Sequence, residues 1–170
     1  LPLLAITSQA AKAPQVKDSP RNVLARAHLD KGKLKGVVEF SAKNGTVLVH
    51  IDTTGLPEDG GPFYYHIHKS PVAANGNCES TGTHLNPYNA PAEDCDAFND
   101  DSYCQVGDLS GKHGFINTTC FEDYYYDPYL SLNSKNKANV IGLSVNIHFA
   151  NMTRIACGTI EKTKDKVKRE

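Results

Sequence analysis

The sequence predicts an all-β fold, an antiparallel sandwich or barrel. About eight short segments carry β-branched residues in rough period-two alternation. The links between them are rich in Gly, Pro, Asn and Asp, the residues that make turns. At 170 residues the chain has the length of one domain with a substantial core.

Taken in order, residues 1–21 read as an irregular lead-in broken by Pro2, Pro14 and Pro20. Its opening, LPLLAITSQAAKA, has no basic stretch and reads as a mature or trimmed N-terminus, or a remnant of processing. From Asn22 three strands follow, VLARAHL, LKGVVEFSA and TVLVHIDTT. Lys31-Gly32-Lys33 and Lys43-Asn44-Gly45 turn between them, the second with the Asn-Gly hairpin signal. FYYHIH is a fourth strand. Lys69 to about Lys112 forms a long polar stretch without periodicity, a length that in a compact domain usually serves function. Strand character returns in HGFIN, YLSLN, VIGLSVNIHFA and RIACGTIEK, while EDYYYD and its tyrosines Tyr124 to Tyr126 read as loop surface or packing. The domain is expected over 22–161, with 162–170 a charged, solvated tail.

Several function classes are excluded by bulk properties. A net charge of −1 leaves no basic face for nucleic acid. No apolar run approaches the roughly 18 residues of a membrane span. The five cysteines are odd in number and form no CxxC pair. Asn44-Gly-Thr46, Asn117-Thr-Thr119 and Asn151-Met-Thr153 are acceptors for N-glycans. Three such triplets beside several cysteines indicate a secreted chain with disulfides.

Four histidines carry the chemistry. His66 and His68 stand at i and i+2 on a strand, so both point to one face. His84, from the long loop, and His148, from a distant strand, could complete a planar ring of nitrogen donors, a set that suits Cu(II). Arg154 follows six residues after His148. His28, His50 and His113 fit no ligand position and read as surface or turn residues.

In this order GLPE, His66/His68, Cys78, GTHLNP, VGDL, His148 and RIACG resemble the copper/zinc superoxide dismutase superfamily over residues 22 to 161. The resemblance implies an eight-stranded Greek-key β-barrel, related to immunoglobulin-like sandwiches, with long ligand-bearing loops. It makes His66, His68, His84 and His148 the ligands of one copper ion. His84 would also release the metal and carry a proton during turnover, and Arg154 would guide superoxide. It pairs Cys78 with Cys157. Of the others, Cys95 with Cys104 would close a short loop, Cys104 with Cys120 is the alternative, and one thiol is left over in either case.

The departures from the zinc-containing members point the same way. Asp108 matches the zinc aspartate, but Gln105 replaces a zinc histidine, and no histidine lies between His84 and His113. Two candidate ligands do not make a tetrahedral zinc site. The connection from His148 to Arg154 is also short, where zinc-containing relatives carry a long charged loop. The chain thus resembles the copper-only dismutases of fungal cell surfaces. The expectation is an extracellular monomer, secreted or surface-attached, that converts superoxide to dioxygen and hydrogen peroxide. Asp108 and Gln105 would orient the ligand shell in place of zinc. A copper-binding or copper-delivery module of the same fold is the alternative, and a copper/zinc enzyme with substitute ligands from the acidic loop is a third reading.

Overall fold

The computed structural model describes residues 12–91, Cys95 and 100–164. Eight strands are present among them: β1 (Ala25–Lys31), β2 (Leu34–Lys43), β3 (Thr46–Thr54), β4 (Tyr64–His68), β5 (Phe121–Asp127), β6 (Ser144–His148), β7 (Arg154–Thr159) and β8 (Glu161–Lys162). One short helix, α1 (Leu109–His113), stands before β5. The strands form an antiparallel five-stranded sheet in the order β5-β3-β2-β1-β8 and a three-stranded sheet in the order β4-β6-β7. Val38, Phe40, Val49 and Ile51 from the first sheet and Tyr65, Ile67, Val145 and Ile147 from the second are all fully buried in one core. In β2 and β3 that pattern is the period-two alternation of half-buried strands, whereas β4 and β6 are buried on both faces.

The Asn-Gly hairpin forms as expected. Asn44 and Gly45 both take positive φ (53° and 83°), and Lys43 pairs with Thr46 across the two-residue turn. β4 and β6 fall within the apolar runs that predicted them. The chain then crosses between the sheets at Ile160, whose N–H donates to the Leu143 carbonyl, so that β7 lies in one sheet and β8 in the other.

Three expectations need correction. The strands do not close into a barrel; they remain two sheets. HGFIN and YLSLN, read as strands, supply only the isolated bridges Phe63↔Ile116 and Ser131↔Asn139. In the first of these segments Ile116 is buried while Phe115 and Asn117 are exposed, which is one apolar anchor and not an alternating face. EDYYYD, read as loop, is instead β5, paired with β3 along its whole length. Part of the lead-in and tail (1–11 and 165–170) and of the acidic stretch (92–94 and 96–99) lie outside the described residues. The remainder of the lead-in is irregular but docked. Ala13 N–H donates to the Ser102 carbonyl, Val16 N–H to that of Pro128, and Asp18 accepts from Ser131 and Asn136.

His113, read as surface or turn, ends α1 and donates from Nε2 to the fully buried Asp127 at 3.0 Å. Lys112 Nζ reaches the same carboxylate oxygen at 2.5 Å, with neither charged side chain exposed. Burial alone would raise the Asp127 pKa, but the Lys112 charge and the His113 hydrogen bond outweigh it and bring the value down to about 2. A depressed carboxylate pKa stabilises the fold above the unfolded value and loses that contribution as pH falls toward the folded one. Melting temperature should therefore decline steeply from about pH 4 toward pH 2, a loss on the order of 2 kcal/mol. Thermal melts at intervals from pH 5 to 2.5 measure it, and a flat profile would refute the assignment.

Candidate metal centre

β4 supplies the first two ligand candidates. Its residues alternate, with Tyr65 and Ile67 packing into the core and His66 and His68 on the opposite side, only 3% and 1% exposed. One edge of β4 pairs with β6, setting Tyr64 against His148. The long loop takes the other edge in two passes. Leu85 N–H donates to the Ile67 carbonyl and Ile67 N–H to that of Gly107, while His84 bridges to His68 and Asp108 to His66. Such close passage requires glycine at 107, since a Cβ there would stand 2.3 Å from the Ile67 carbonyl oxygen. His148 ends β6 at a register shift that sets it opposite Arg154.

These elements bring together the four predicted histidines. One ring nitrogen from each lies within 4.8 Å of all the others. The imidazole planes make two near-parallel pairs. His66 lies against His84 (18°) and His68 against His148 (20°), and the two pairs are crossed at 68–80°.

The partners of the remaining ring nitrogens fix the tautomers. His68 Nδ1 faces the Gly82 carbonyl at 2.8 Å, His148 Nδ1 that of Met152 at 3.0 Å, and His84 Nδ1 the Gln105 Oε1 at 2.7 Å. All three partners only accept, so these nitrogens carry the hydrogen and each Nε2 is a bare lone pair. His66 is reversed: Nε2 faces Asp108 Oδ1 at 3.3 Å, while Nδ1 is buried with no hydrogen-bond partner. His68 Nε2 and His148 Nε2 stand 3.1 Å apart, lone pair against lone pair. Four converging lone pairs, one of them the partnerless buried Nδ1 of His66, are unfavourable without a cation among them, and imidazole donors fit a copper ion.

Charge is arranged to keep the donors free. Burial, followed by smaller contributions from neighbouring groups, lowers the pKa of His68 to about 3 and those of His84 and His148 to about 4. The three rings are thus neutral at physiological pH. Burial raises the Asp108 pKa, but the hydrogen bonds it accepts from His66 and from the Gly111 N–H leave it below the ordinary value.

Both expected orienting residues lie against the candidate ligands, Gln105 on His84 and Asp108 on His66. Arg154 donates from Nη1 to the Cys78 carbonyl and from Nη2 to that of Gly82, each at 2.6 Å, with Glu79 at 3.6 Å. Its anchoring loop is tied to β7 by the Cys78–Cys157 disulfide, 79 residues apart in sequence. Cys95 pairs with Cys104, leaving Cys120 free and exposed.

Sequence reasoning missed the carbonyls of Gly82 and Met152. Both residues have positive φ (72° and 67°), and the only hint for Gly82 was a glycine between threonines. Nor did anything local single out Lys112 or Asp127.

The sequence pattern of the family described as copper/zinc superoxide dismutase matches residues 34–160. Two Candida albicans proteins are similar to the chain. One, named cell surface superoxide dismutase [Cu-Zn] 6, is 57% identical over 96% of this chain and 53% of its own length. The other, named cell surface Cu-only superoxide dismutase 5, is 41% identical over 93% of this chain and 69% of its own. The chain thus spans about half the length of the first. A solved structure of Candida albicans superoxide dismutase 5 with Cu(II) superposes with a TM-score of 0.78 at 40% identity, covering 85% of this chain and 94% of that one.

Proposed function

The chain belongs to the copper/zinc superoxide dismutase family, and we propose that it is a copper-only superoxide dismutase acting outside the cell. The observation that carries this reading is the convergence of four imidazole lone pairs whose other ring nitrogens are engaged elsewhere or, for His66, turned toward a carboxylate. His66, His68, His84 and His148 would hold one copper ion. Bound there, copper would supply a one-electron couple that oxidises one superoxide to dioxygen and reduces a second, with two protons, to hydrogen peroxide.

The protein's own groups prepare that site. Three carbonyl-type acceptors and one carboxylate hold the rings in a single tautomer, which limits rearrangement during a redox change. Arg154 is held rigidly by the loop and offers a permanent positive charge to a small anion. His84 keeps its Nδ1 hydrogen on Gln105, a neutral amide that has no proton to trade, and this leaves Nε2 as the ring's working atom.

The names of the two relatives differ over zinc. The donor inventory here favours copper alone. His84 Nδ1 is spent on Gln105, and Asp108 Oδ1 already serves His66 and the Gly111 N–H. The cell-surface names of the relatives and two disulfides support an extracellular location. Asn44, Asn117 and Asn151 are all exposed, which suits them as glycan acceptors. The dismutase unit is taken as 22–161 in a monomer, with the Greek-key crossing supplied by the connection from β5 to β6.

The test is superoxide decay followed by pulse radiolysis on protein loaded with one copper and shown to hold no zinc. A rate constant of roughly 10⁸–10⁹ M⁻¹s⁻¹ is expected. Arg154→Gln should retain copper but lower the rate about tenfold and flatten its dependence on ionic strength. Little acceleration despite bound copper would favour the delivery-module reading, and stoichiometric zinc would overturn the copper-only one.

A further inference from the structure

Residues 105–108 serve the metal centre twice, through Gln105 on His84 and through Asp108 on His66. Asp108 also caps α1, accepting the Gly111 N–H at 2.8 Å. One turn later the chain sends a charge back beneath this segment. The Lys112 side chain is wholly buried, and its Nζ donates to the Val106 carbonyl at 2.8 Å and to Asp127 Oδ2 at 2.5 Å. Asp127 is completed by His113 Nε2 on the same oxygen and by the Tyr129 N–H on Oδ1 at 2.9 Å. The ammonium therefore grips the residue between Gln105 and the Gly107–Asp108 pair.

A buried ion pair adds little stability over apolar residues of the same volume, so stability alone does not account for it. What it supplies is direction. An ammonium has defined acceptors, whereas an apolar side chain would let Val106 slide, and a small slide would move both orienting groups. We propose that the Lys112–Asp127 pair is the positioning unit of the metal centre. Through the Val106 carbonyl it sets the reach of Gln105 to His84 and of Asp108 to His66. Neither residue touches the metal ligands directly. This role rests on the copper site proposed above.

The test replaces the whole pair, Lys112→Met with Asp127→Leu, so that no charge is left buried alone. Copper-loaded wild type and double variant are compared by Cu(II) electron paramagnetic resonance and by the rate of copper release to a chelator. The double variant should melt within a few degrees of wild type, give a shifted and broadened resonance, and release copper roughly tenfold faster. Val38→Ala, in the core of β2, is the control. It should lower the melting temperature and leave the resonance unchanged. A folded double variant with the wild-type spectrum and release rate overturns the proposal. If the double variant does not fold, Lys112→Met alone, which removes the hold on the Val106 carbonyl and leaves Asp127 with His113 Nε2 and the Tyr129 N–H, is read by the same criteria. Wild-type protein that takes up no copper would instead overturn the copper reading, and the positioning role with it.

Discussion

His68→Ala should abolish dismutation and leave a metal-free protein at least as stable as the parent. The side chain is 1% exposed, its Nδ1 hydrogen lies on the Gly82 carbonyl, and its Nε2 faces His148 Nε2 at 3.1 Å. With a pKa lowered to about 3 by burial, the ring is a neutral donor throughout the working pH range. Losing a residue that merely orients a ligand costs about 10–100-fold in metal affinity, and losing a ligand should cost on the order of a thousandfold. The stability arm separates a ligand from a core histidine. Truncating a buried side chain usually costs about 2 kcal/mol or more through the cavity left behind. Here the truncation also relieves two opposed lone pairs, so the metal-free variant should melt near the parent or above it. Copper stoichiometry and melts of both metal-free proteins decide. A variant that keeps copper, or a large loss of stability without metal, would contradict the assignment.

Part of the site was legible in the sequence for a purely local reason. Paired side chains at i and i+2 announce a shared face wherever a strand is recognisable, and FYYHIH is recognisable. His84 and His148 were possible companions of that pair, and the family resemblance made them ligands, because chain separations of 16 and 80 residues carry no geometry of their own. The carbonyls of Gly82 and Met152 were invisible for a different reason. Every residue has a carbonyl, and only the fold selects which one faces a ring. β5 escaped because two of its inward positions are Asp123 and Asp127, while its outward positions include the exposed Tyr124 and Tyr126. The hydrophobic alternation is thereby blurred, and burial of Asp127 depends on Lys112, a partner 15 residues away. The same blurring hid the positioning pair. Closure of the barrel was inferred by resemblance, and the described strands form two separate sheets instead.

Replacing both Cys78 and Cys157 by serine should produce a large stability loss, together with a partial loss of activity. The bridge spans 79 residues, and the chain-entropy relation for a loop of that size gives about 4.5 kcal/mol. In a domain of this length, that corresponds to a fall in melting temperature of roughly 9–18 °C. The Cys95–Cys104 bridge spans only 9 residues, and the same relation assigns it about 2–3 kcal/mol, so the two removals should rank in that order. Activity should distinguish them further. The Cys78 carbonyl, Thr81 hydroxyl and Gly82 carbonyl are the acceptors that hold Arg154, and Gly82 also fixes His68. Freeing the Cys78 end loosens the anion guide and one ligand at once, even where the fold survives. Superoxide decay measured well below the melting temperature should fall severalfold in this variant, and the salt dependence should weaken as it does for Arg154→Gln. Equal melting losses from the two disulfides would count against the entropic ranking. A wild-type rate without the longer bridge would show that Arg154 and His68 hold their places through hydrogen bonds alone.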